Sequence, residues 1–425
     1  MNNLLSSDLD NIIAENGIVT HFQPIISVKR KSIVGFEALS RGVHPENNSL
    51  IPPLALFQAA EKFNKTVEID RLCREMALHR FSLLRKTDSD LLLFINFDTS
   101  MVDKGIVGSG NFMQSAQRHG LPPANIVIEL VESRVTDLSE LIRFVDMYRR
   151  QGFLIALDDF GAGHSNLERI SSIKPDIIKI DRSLVSNVQN EFYKQEILKS
   201  IVKLTGQLGT MVLSEGVERH QEVVKTMDLG TDLLQGYFFS RPCEIKDLCF
   251  NAVEQKIKST ASHYFQSKLL KIRTENRLIS SYQNLSAAIM NELEKDRGRI
   301  QEQGVRDMIA GYSLVECAYM LDPSGRQITS TIMNNGYLSG LKSSFLFKPA
   351  EKGDDHSLKD YFVYIQAGLD RFITEPYISL ATGNLCRTIS MTCPDHQGQK
   401  CIFCLDLKED GLRNSLDLNR SLVLN

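Results

Sequence analysis

The 425-residue chain has no tryptophan and no apolar run long enough to cross a bilayer. That second absence excludes a membrane-spanning helix. The N-terminal stretch MNNLLSSDLDNIIAENG is acidic and lacks the basic start and apolar core of a secretory signal. The expected location is therefore cytoplasmic. Large charge of either sign is also missing: the net charge is −3, so there is no basic footprint for duplex nucleic acid. A single small nucleotide stays possible, because a metal can supply the positive charge. The eight cysteines are scattered irregularly, which in a chain of this size argues for reduced thiols over a disulfide framework. With 24% charged and 42% hydrophobic residues, neither disorder nor coiled coil dominates, and the length suits two or three domains.

What is present is a repeated pattern. Eight short apolar runs within the first 245 residues each carry a polar side chain: HFQPIISV, IVGFEALSR, LLLFINF, IVIELVES, FLIALDDF, DIIKID, MVLSEGV and LLQGYFF. The polar residues are Gln23, Glu37, Asn96, Glu129, Asp158 with Asp159, Lys179, Glu215 and Gln235. Segments of helical periodicity separate the runs, such as 56–63, 138–152 and 194–209. Alternating strands and helices predict βα units, and one polar residue per strand predicts a β/α barrel whose strand ends converge on one pocket.

Glu37, Glu129, Asp158, Asp159 and Glu215 would then share one end of the barrel. Two carboxylates about 4 Å apart repel by about 4 kcal/mol at an effective dielectric near 20. Such a group protonates in part or binds cations. An all-oxygen set completed by the Asn96 amide suits Mg²⁺ or Mn²⁺ and disfavours zinc, and the nearest histidine is His21. The carboxylates suffice for two ions with Asp158 between them, a pairing suited to in-line displacement at phosphorus. Arg41, on the face of Glu37, is placed to clamp a phosphate, and Lys179 and Asp181 share a face by spacing. An Arg41–Asp181 structural pair is the competing reading. Glu132 is read as a loop brace, and Glu218 as either a turn cap or a substrate contact. The loop GAGHSNL (161–167) supplies a sharp turn beside the acids.

These motifs together resemble the EAL domain, the bacterial cyclic di-GMP phosphodiesterase family. The signature stands as Glu37-Ala38-Leu39; QPI (23–25), Asn96 in NFDTS, IELVES (128–133), DDFGAG (158–163), KID (179–181), SEGVE (214–218) and LLQGYFFSRP (233–242) follow in family order. The resemblance implies a modified TIM (β/α)8 barrel with an antiparallel first strand. It implies one metal held by Glu37, Asn96, Glu129 and Asp158, and a second served by Asp158, Asp159 and Glu215. It implies that Lys179 and Glu215 orient the attacking water, that Gln23, Arg41 and Gln235 contact the dinucleotide, and that Glu132 anchors the DDFGAG loop. The implied product is linear pGpG. The expected cofactors are Mg²⁺ or Mn²⁺ at two sites, with Ca²⁺ supporting binding but not efficient hydrolysis. His164 and Asn166 depart from the Tyr and Ser common in that loop, which bears on rate. The alternative is a cyclic di-GMP receptor with little turnover.

The segment 251–297 lacks glycine and proline and repeats apolar residues at helical spacing, predicting one long helix or two, interrupted near Gly298 and Gly304. The expected organisation is a barrel over 1–250, a helical linker over 251–310, and a smaller α+β domain over 311–425. That last part should form an antiparallel sheet with helices on one side, with a turn at Pro323-Ser324-Gly325 and another at Asp395–Gly398. It resembles a PAS-like or Cache-type sensory module, which implies a small ligand of unknown identity. The long amphipathic helix and the family resemblance together imply a homodimer. Cys386, Cys393, His396, Cys401 and Cys404 lie close in sequence and suggest zinc, but Cys401 and Cys404 are three apart in a strand and so face opposite sides.

Overall fold

The computed structural model describes residues 4–85, 90–97, 111–131, 138–162, 167–295, 302–334, 347–394 and 399–409. It divides into two compact units, Met1–Lys268 and Leu269–Asn425.

In the first unit the strands are β1 (Ile18–Ser27), β2 (Ser32–Val43), β3 (Leu50–Ile51), β4 (Leu92–Phe97), β5 (Ile126–Val131), β6 (Leu154–Phe160), β7 (Ile177–Ile180), β8 (Met211–Ser214) and β9 (Leu233–Leu234). Their order is β1-β9-β8-β7-β6-β5-β4-β2-β3, and a β1–β2 pairing closes the ring. From β2 through β4 to β9 neighbours run parallel, whereas β1 is antiparallel to both β2 and β9. The result is a closed eight-stranded barrel with a reversed first strand and β3 appended at the edge of β2. The three helical stretches expected from periodicity appear as Pro53–Lys62, Leu138–Arg150 and Phe192–Leu208. Helix Leu138–Arg150 buries Leu141, Phe144, Val145 and Tyr148, a stripe at spacings of three and four. Helix Phe192–Leu208 ends at Gly209, whose φ of 75° suits a residue without a Cβ.

Strand periodicity builds two layers inside the barrel. Phe94, Val127, Ala156, Ile177, Leu213 and Leu233 form an apolar layer with Ile25. Two residues further along each parallel strand stand Asn96, Glu129, Asp158, Lys179, Glu215 and Gln235. In the reversed β1 the step is backward, from Ile25 to Gln23, and Gln23 lies opposite Glu37 in the β1–β2 register. The apolar layer plugs the barrel; the polar layer faces its C-terminal mouth, where active sites of this architecture lie.

The 46-residue helix Phe250–Lys295 begins in the first unit and belongs to the second from Leu269 onward, where helix Glu302–Ala310 follows it. Gly304 sits inside that second helix rather than breaking it. The strands are β10 (Val315–Leu321), β11 (Ile332–Met333), β12 (Arg371–Ile373), β13 (Tyr377–Ile378), β14 (Leu385–Pro394) and β15 (Lys400–Lys408), all paired antiparallel. Helices cover both faces, not one as the sequence suggested. Leu285, Ile289, Val305 and Ile309 pack on one face against Ala318, Met320, Phe403 and Leu405. Tyr361, Phe362 and Ile365 of helix Asp360–Gln366 pack on the other against Cys317, Tyr319 and Cys404. Every residue of β10 is buried, as a strand covered on two sides must be. Cys401 belongs to the first face and Cys404 to the second. The CxxC is therefore no zinc clamp; His396 and the turn at 395–398 lie outside the described residues.

Candidate active site at the barrel mouth

Lys179 is the hub of the polar layer. Its ammonium lies 2.5 Å from Glu129, 2.7 Å from Glu215, 3.2 Å from Asp158 and 3.6 Å from Glu37. The Lys179 side chain is only 1% exposed. Burial disfavours its charge, but Asp158, Glu129, Glu215 and Glu37 together hold its pKa well above the usual lysine value. One cation cannot balance four carboxylates. Burial, reinforced by the negative Glu37 and Asp158, pushes Glu129 well above the carboxylate range despite Lys179. Burial likewise pushes Glu215 up to about 8, against the pull of Lys179. Glu37 goes the other way: burial opposes its charge, yet Lys179 and hydrogen bonds from Gln235 and Asn96 hold its carboxyl below the ordinary value.

Amides orient Glu37. The Asn96 Nδ2 donates to Glu37 Oε1 at 3.1 Å, which leaves the Asn96 carbonyl oxygen for a cation. Gln235 Nε2 donates to Glu37 Oε2 at 2.6 Å and to Gln23 Oε1 at 3.0 Å, and Gln23 Nε2 donates to Ser240 O at 3.1 Å. The close pass of the chain after β9 requires Gly236, since a Cβ there would stand 2.1 Å from the Val217 carbonyl oxygen.

Adjacent Asp158 and Asp159 would diverge in a regular strand. They converge here because Asp159 adopts a left-handed backbone, φ 56°, at a break in the β6–β7 register between Leu157 and Phe160. Asp159 N–H donates to Asp158 Oδ1 at 2.9 Å, and aspartate is among the residue types that enter the left-handed region most readily. As a result, ligand oxygens of Asp158, Asp159 and Glu215 all lie within 4.8 Å of one another. Glu129 is fully buried, and the cation it meets is the Lys179 ammonium that it shares with Glu37, Asp158 and Glu215. An oxygen-only donor set with more buried carboxylates than one lysine can balance fits hard divalent cations.

Gln23, Glu37, Asp158, Asp159, Lys179, Glu215, Glu218 and Gln235 line a cleft of about 310 Å³. Four further residues line it, Arg182, Gly216, Gly236 and Tyr237, none of which was assigned a role from the sequence. Arg182 pairs with Glu218 at 3.0 Å, so Glu218 is a cleft residue. Cap of that turn is instead Glu222, which accepts from the N–H groups of Glu218, Arg219 and Asn187 at 2.9–3.0 Å. Its position three residues after Arg219, at the start of helix His220–Asp228, was the legible signal.

Two expectations change. Asp181 does not share a face with Lys179, because β7 ends at Ile180; Asp181 caps helix Arg182–Val185 by accepting from Ser183 N–H at 2.9 Å. Capping holds it away from the cleft and leaves no Arg41–Asp181 pair. Arg41 remains on β2 with Glu37 but donates to the Ser40 carbonyl at 2.9 Å and does not line the cleft. Glu132, His164 and Asn166 lie outside the described residues.

Comparison with known proteins places this geometry in context. The chain is 24% identical to the uncharacterized EAL-domain containing protein YkuI of Bacillus subtilis over 397 residues, 91% of this chain and 94% of that protein. It is 29% identical over 248 residues to the probable cyclic di-GMP phosphodiesterase PdeG of Escherichia coli, covering 56% of this chain and 47% of PdeG. The crystal structure of Bacillus subtilis YkuI in complex with substrate c-di-GMP and calcium matches with a TM-score of 0.75 at 23% identity, over 95% of this chain and 99% of that one. At that identity the likeness speaks for the fold. Among the described residues, no helix is long and apolar enough to cross a membrane. The family model of the EAL domain matches residues 6–242, more than half of the sequence, and the chain belongs to the EAL-domain family.

Proposed function

We propose that the chain hydrolyses cyclic di-GMP to linear pGpG at the barrel mouth, using two divalent cations, under the influence of its C-terminal unit. One observation carries this reading: Asp158, Asp159 and Glu215 converge within 4.8 Å beside three further oxygen donors and one buried lysine. Glu37, Asn96, Glu129 and Asp158 are the residues for one cation, and Asp158, Asp159 and Glu215 those for the other. Mg²⁺ or Mn²⁺ would supply Lewis acidity at the scissile phosphate. Lys179 and Glu215 hold the attacking water, with Glu215 taking up its proton. Gln23 and Gln235 fix the Glu37 carboxylate, and Arg182 with Tyr237 forms the outer wall against the dinucleotide. Arg41, within electrostatic reach of Glu37 and Tyr237, is placed to turn toward a bound phosphate.

The proteins bearing phosphodiesterase names support this reading over the EAL segment, and none of the acids it needs is missing. Ca²⁺, with its looser and higher coordination, is expected to permit nucleotide binding without efficient turnover. Exposed Phe265, Leu270, Ile272 and Ile279 along helix Phe250–Lys295 support a homodimer, which light scattering at micromolar concentration checks. A small ligand in the C-terminal unit would be the regulatory input.

The test is to incubate the full chain with cyclic di-GMP and Mg²⁺, Mn²⁺ or Ca²⁺ and resolve pGpG by chromatography. Product with Mg²⁺ or Mn²⁺ supports hydrolysis. Tight nucleotide binding with no product under any ion selects a receptor instead.

A further inference from the structure

The C-terminal unit encloses a second cavity, of about 350 Å³, between its sheet and the segment around helix Asp360–Gln366. Asp406 of β15 lies in its wall, 4% exposed. Its Oδ1 accepts from Thr388 Oγ1 at 2.7 Å and from Tyr319 OH at 3.3 Å, while Oδ2 meets only the Cys317 thiol at 3.5 Å. No ion pair to Asp406 exists among the described residues. A buried carboxylate without a cation is costly, and a thiol is a weak donor. The other walls are aromatic. Tyr319 and Tyr361 rings stand 6.1 Å apart, Tyr361 and Tyr377 rings 6.5 Å, and the His356 ring lies 5.5 Å from Tyr319. Burial holds His356 below its ordinary pKa, so it adds no positive charge near neutral pH. Two lysines also line the cavity, Lys348 and Lys359; both are exposed, Lys348 pairs with Glu351 at 2.6 Å, and neither forms an ion pair with Asp406.

A desolvated carboxylate with a spare acceptor oxygen, walled by tyrosine rings, matches a compact cation that carries N–H donors. We infer that this cavity binds a small primary-ammonium compound, its nitrogen against Asp406 and its carbon chain among Tyr319, Tyr361 and Tyr377. The inference rests on the reading of the C-terminal unit as a ligand-binding input and gives that ligand a chemical class. It does not rest on hydrolysis at the barrel.

The test is isothermal titration of the full chain at pH 7.5, without nucleotide or divalent metal, so that failure of the phosphodiesterase reading leaves the result untouched. The probes are n-butylammonium, its neutral counterpart n-butanol, and tetramethylammonium, which has charge but no N–H. Saturable binding of n-butylammonium, at least tenfold tighter than either control, is expected. Asp406→Asn should weaken it at least tenfold without lowering the urea midpoint of the C-terminal unit, and Tyr361→Leu should weaken it severalfold. Equal binding of n-butanol, tighter binding of tetramethylammonium, unchanged affinity in Asp406→Asn, or no saturable heat from n-butylammonium in the millimolar range would each overturn the inference.

Discussion

At the barrel mouth Glu37, Glu129, Asp158 and Glu215 share the buried ammonium of Lys179, whereas Asp406 in the C-terminal sheet has two hydroxyls, a thiol and no cation. Both regions bury carboxylates, and both raise the pKa of at least one by burial: Glu215 to about 8, Asp406 to about 6. They differ in how much negative charge is left over. The barrel mouth holds more carboxylates than its lysine can balance, and their oxygens converge, so the surplus suits divalent ions. In the sheet the buried Glu316 accepts from Thr382 Oγ1 and Asn384 Nδ2, whereas Asp406 stands among aromatic rings with no ion pair among the described residues, so the deficit at Asp406 suits a single soft-surfaced monocation. Burying an acid is thus not a functional signature by itself; the number of convergent oxygens and the surrounding side chains decide which cation fits.

The largest expected effect comes from the barrel acids. Glu37→Gln or Glu215→Gln should lower the rate of pGpG formation by roughly 10²–10³-fold or more, with unchanged far-ultraviolet circular dichroism. A variant that turns over normally would break the asymmetry between the two regions. Next is Lys179→Met, which removes the one buried cation that faces the four carboxylates among the described residues. The metal-free barrel should lose about 3–5 kcal/mol in urea unfolding, as expected when one partner of a buried ionic cluster is removed. Adding Mn²⁺ should recover part of that loss. Chelation of the unmutated protein should abolish hydrolysis and lower the melting temperature of the barrel alone, leaving the C-terminal unit unmoved.

A smaller effect is expected from pH in the C-terminal unit. Asp406 has a folded pKa of about 6, above the ordinary aspartate value, because burial outweighs its hydrogen bonds. The fold therefore favours the protonated acid. That contribution is full below the unfolded pKa near 4, and is lost as pH rises through about 6, to a limit of about 3 kcal/mol. Amide exchange of β14 and β15 should accordingly be slower at pH 5 than at pH 7.5 after correction for intrinsic rates, and Asp406→Asn should flatten the difference. The smallest change is Arg182→Ala. Its ion pair with Glu218 is 58% and 39% exposed, so stability should shift by less than about 1 kcal/mol. A several-fold rise in KM with kcat retained would mark Arg182 as a substrate contact; unchanged kinetics would leave it a surface residue.

Much of the barrel mouth was legible because a parallel strand with period two announces which residue ends it. Gln23, Glu37, Asn96, Glu129, Asp158, Lys179, Glu215 and Gln235 stand in the expected layer for that reason. Asp181 was misread because the strand stops one residue sooner and a helix begins; an aspartate after an apolar strand serves equally well as a cap. The convergence of Asp158 with Asp159 was not derivable from strand periodicity, which places neighbours on opposite faces; the left-handed kink at Asp159 is a backbone choice made by the whole barrel. Arg182 and Tyr237 escaped notice because neither stands in a strand: Arg182 opens the short helix after β7 and Tyr237 lies in the turn after β9, where strand periodicity gives no signal. In the C-terminal sheet, VECAYML is apolar on both faces apart from Glu316, and that pattern was the available sign that helices cover both.

The most direct test of the central claim is the count of Mn²⁺ ions bound per chain, measured by equilibrium dialysis with cyclic di-GMP present under slow-turnover conditions. Two ions in the unmutated protein, a loss in Asp158→Asn and no change in Asp406→Asn are the predicted results. A chain that binds no Mn²⁺, or binds it equally well in Asp158→Asn, would contradict the account.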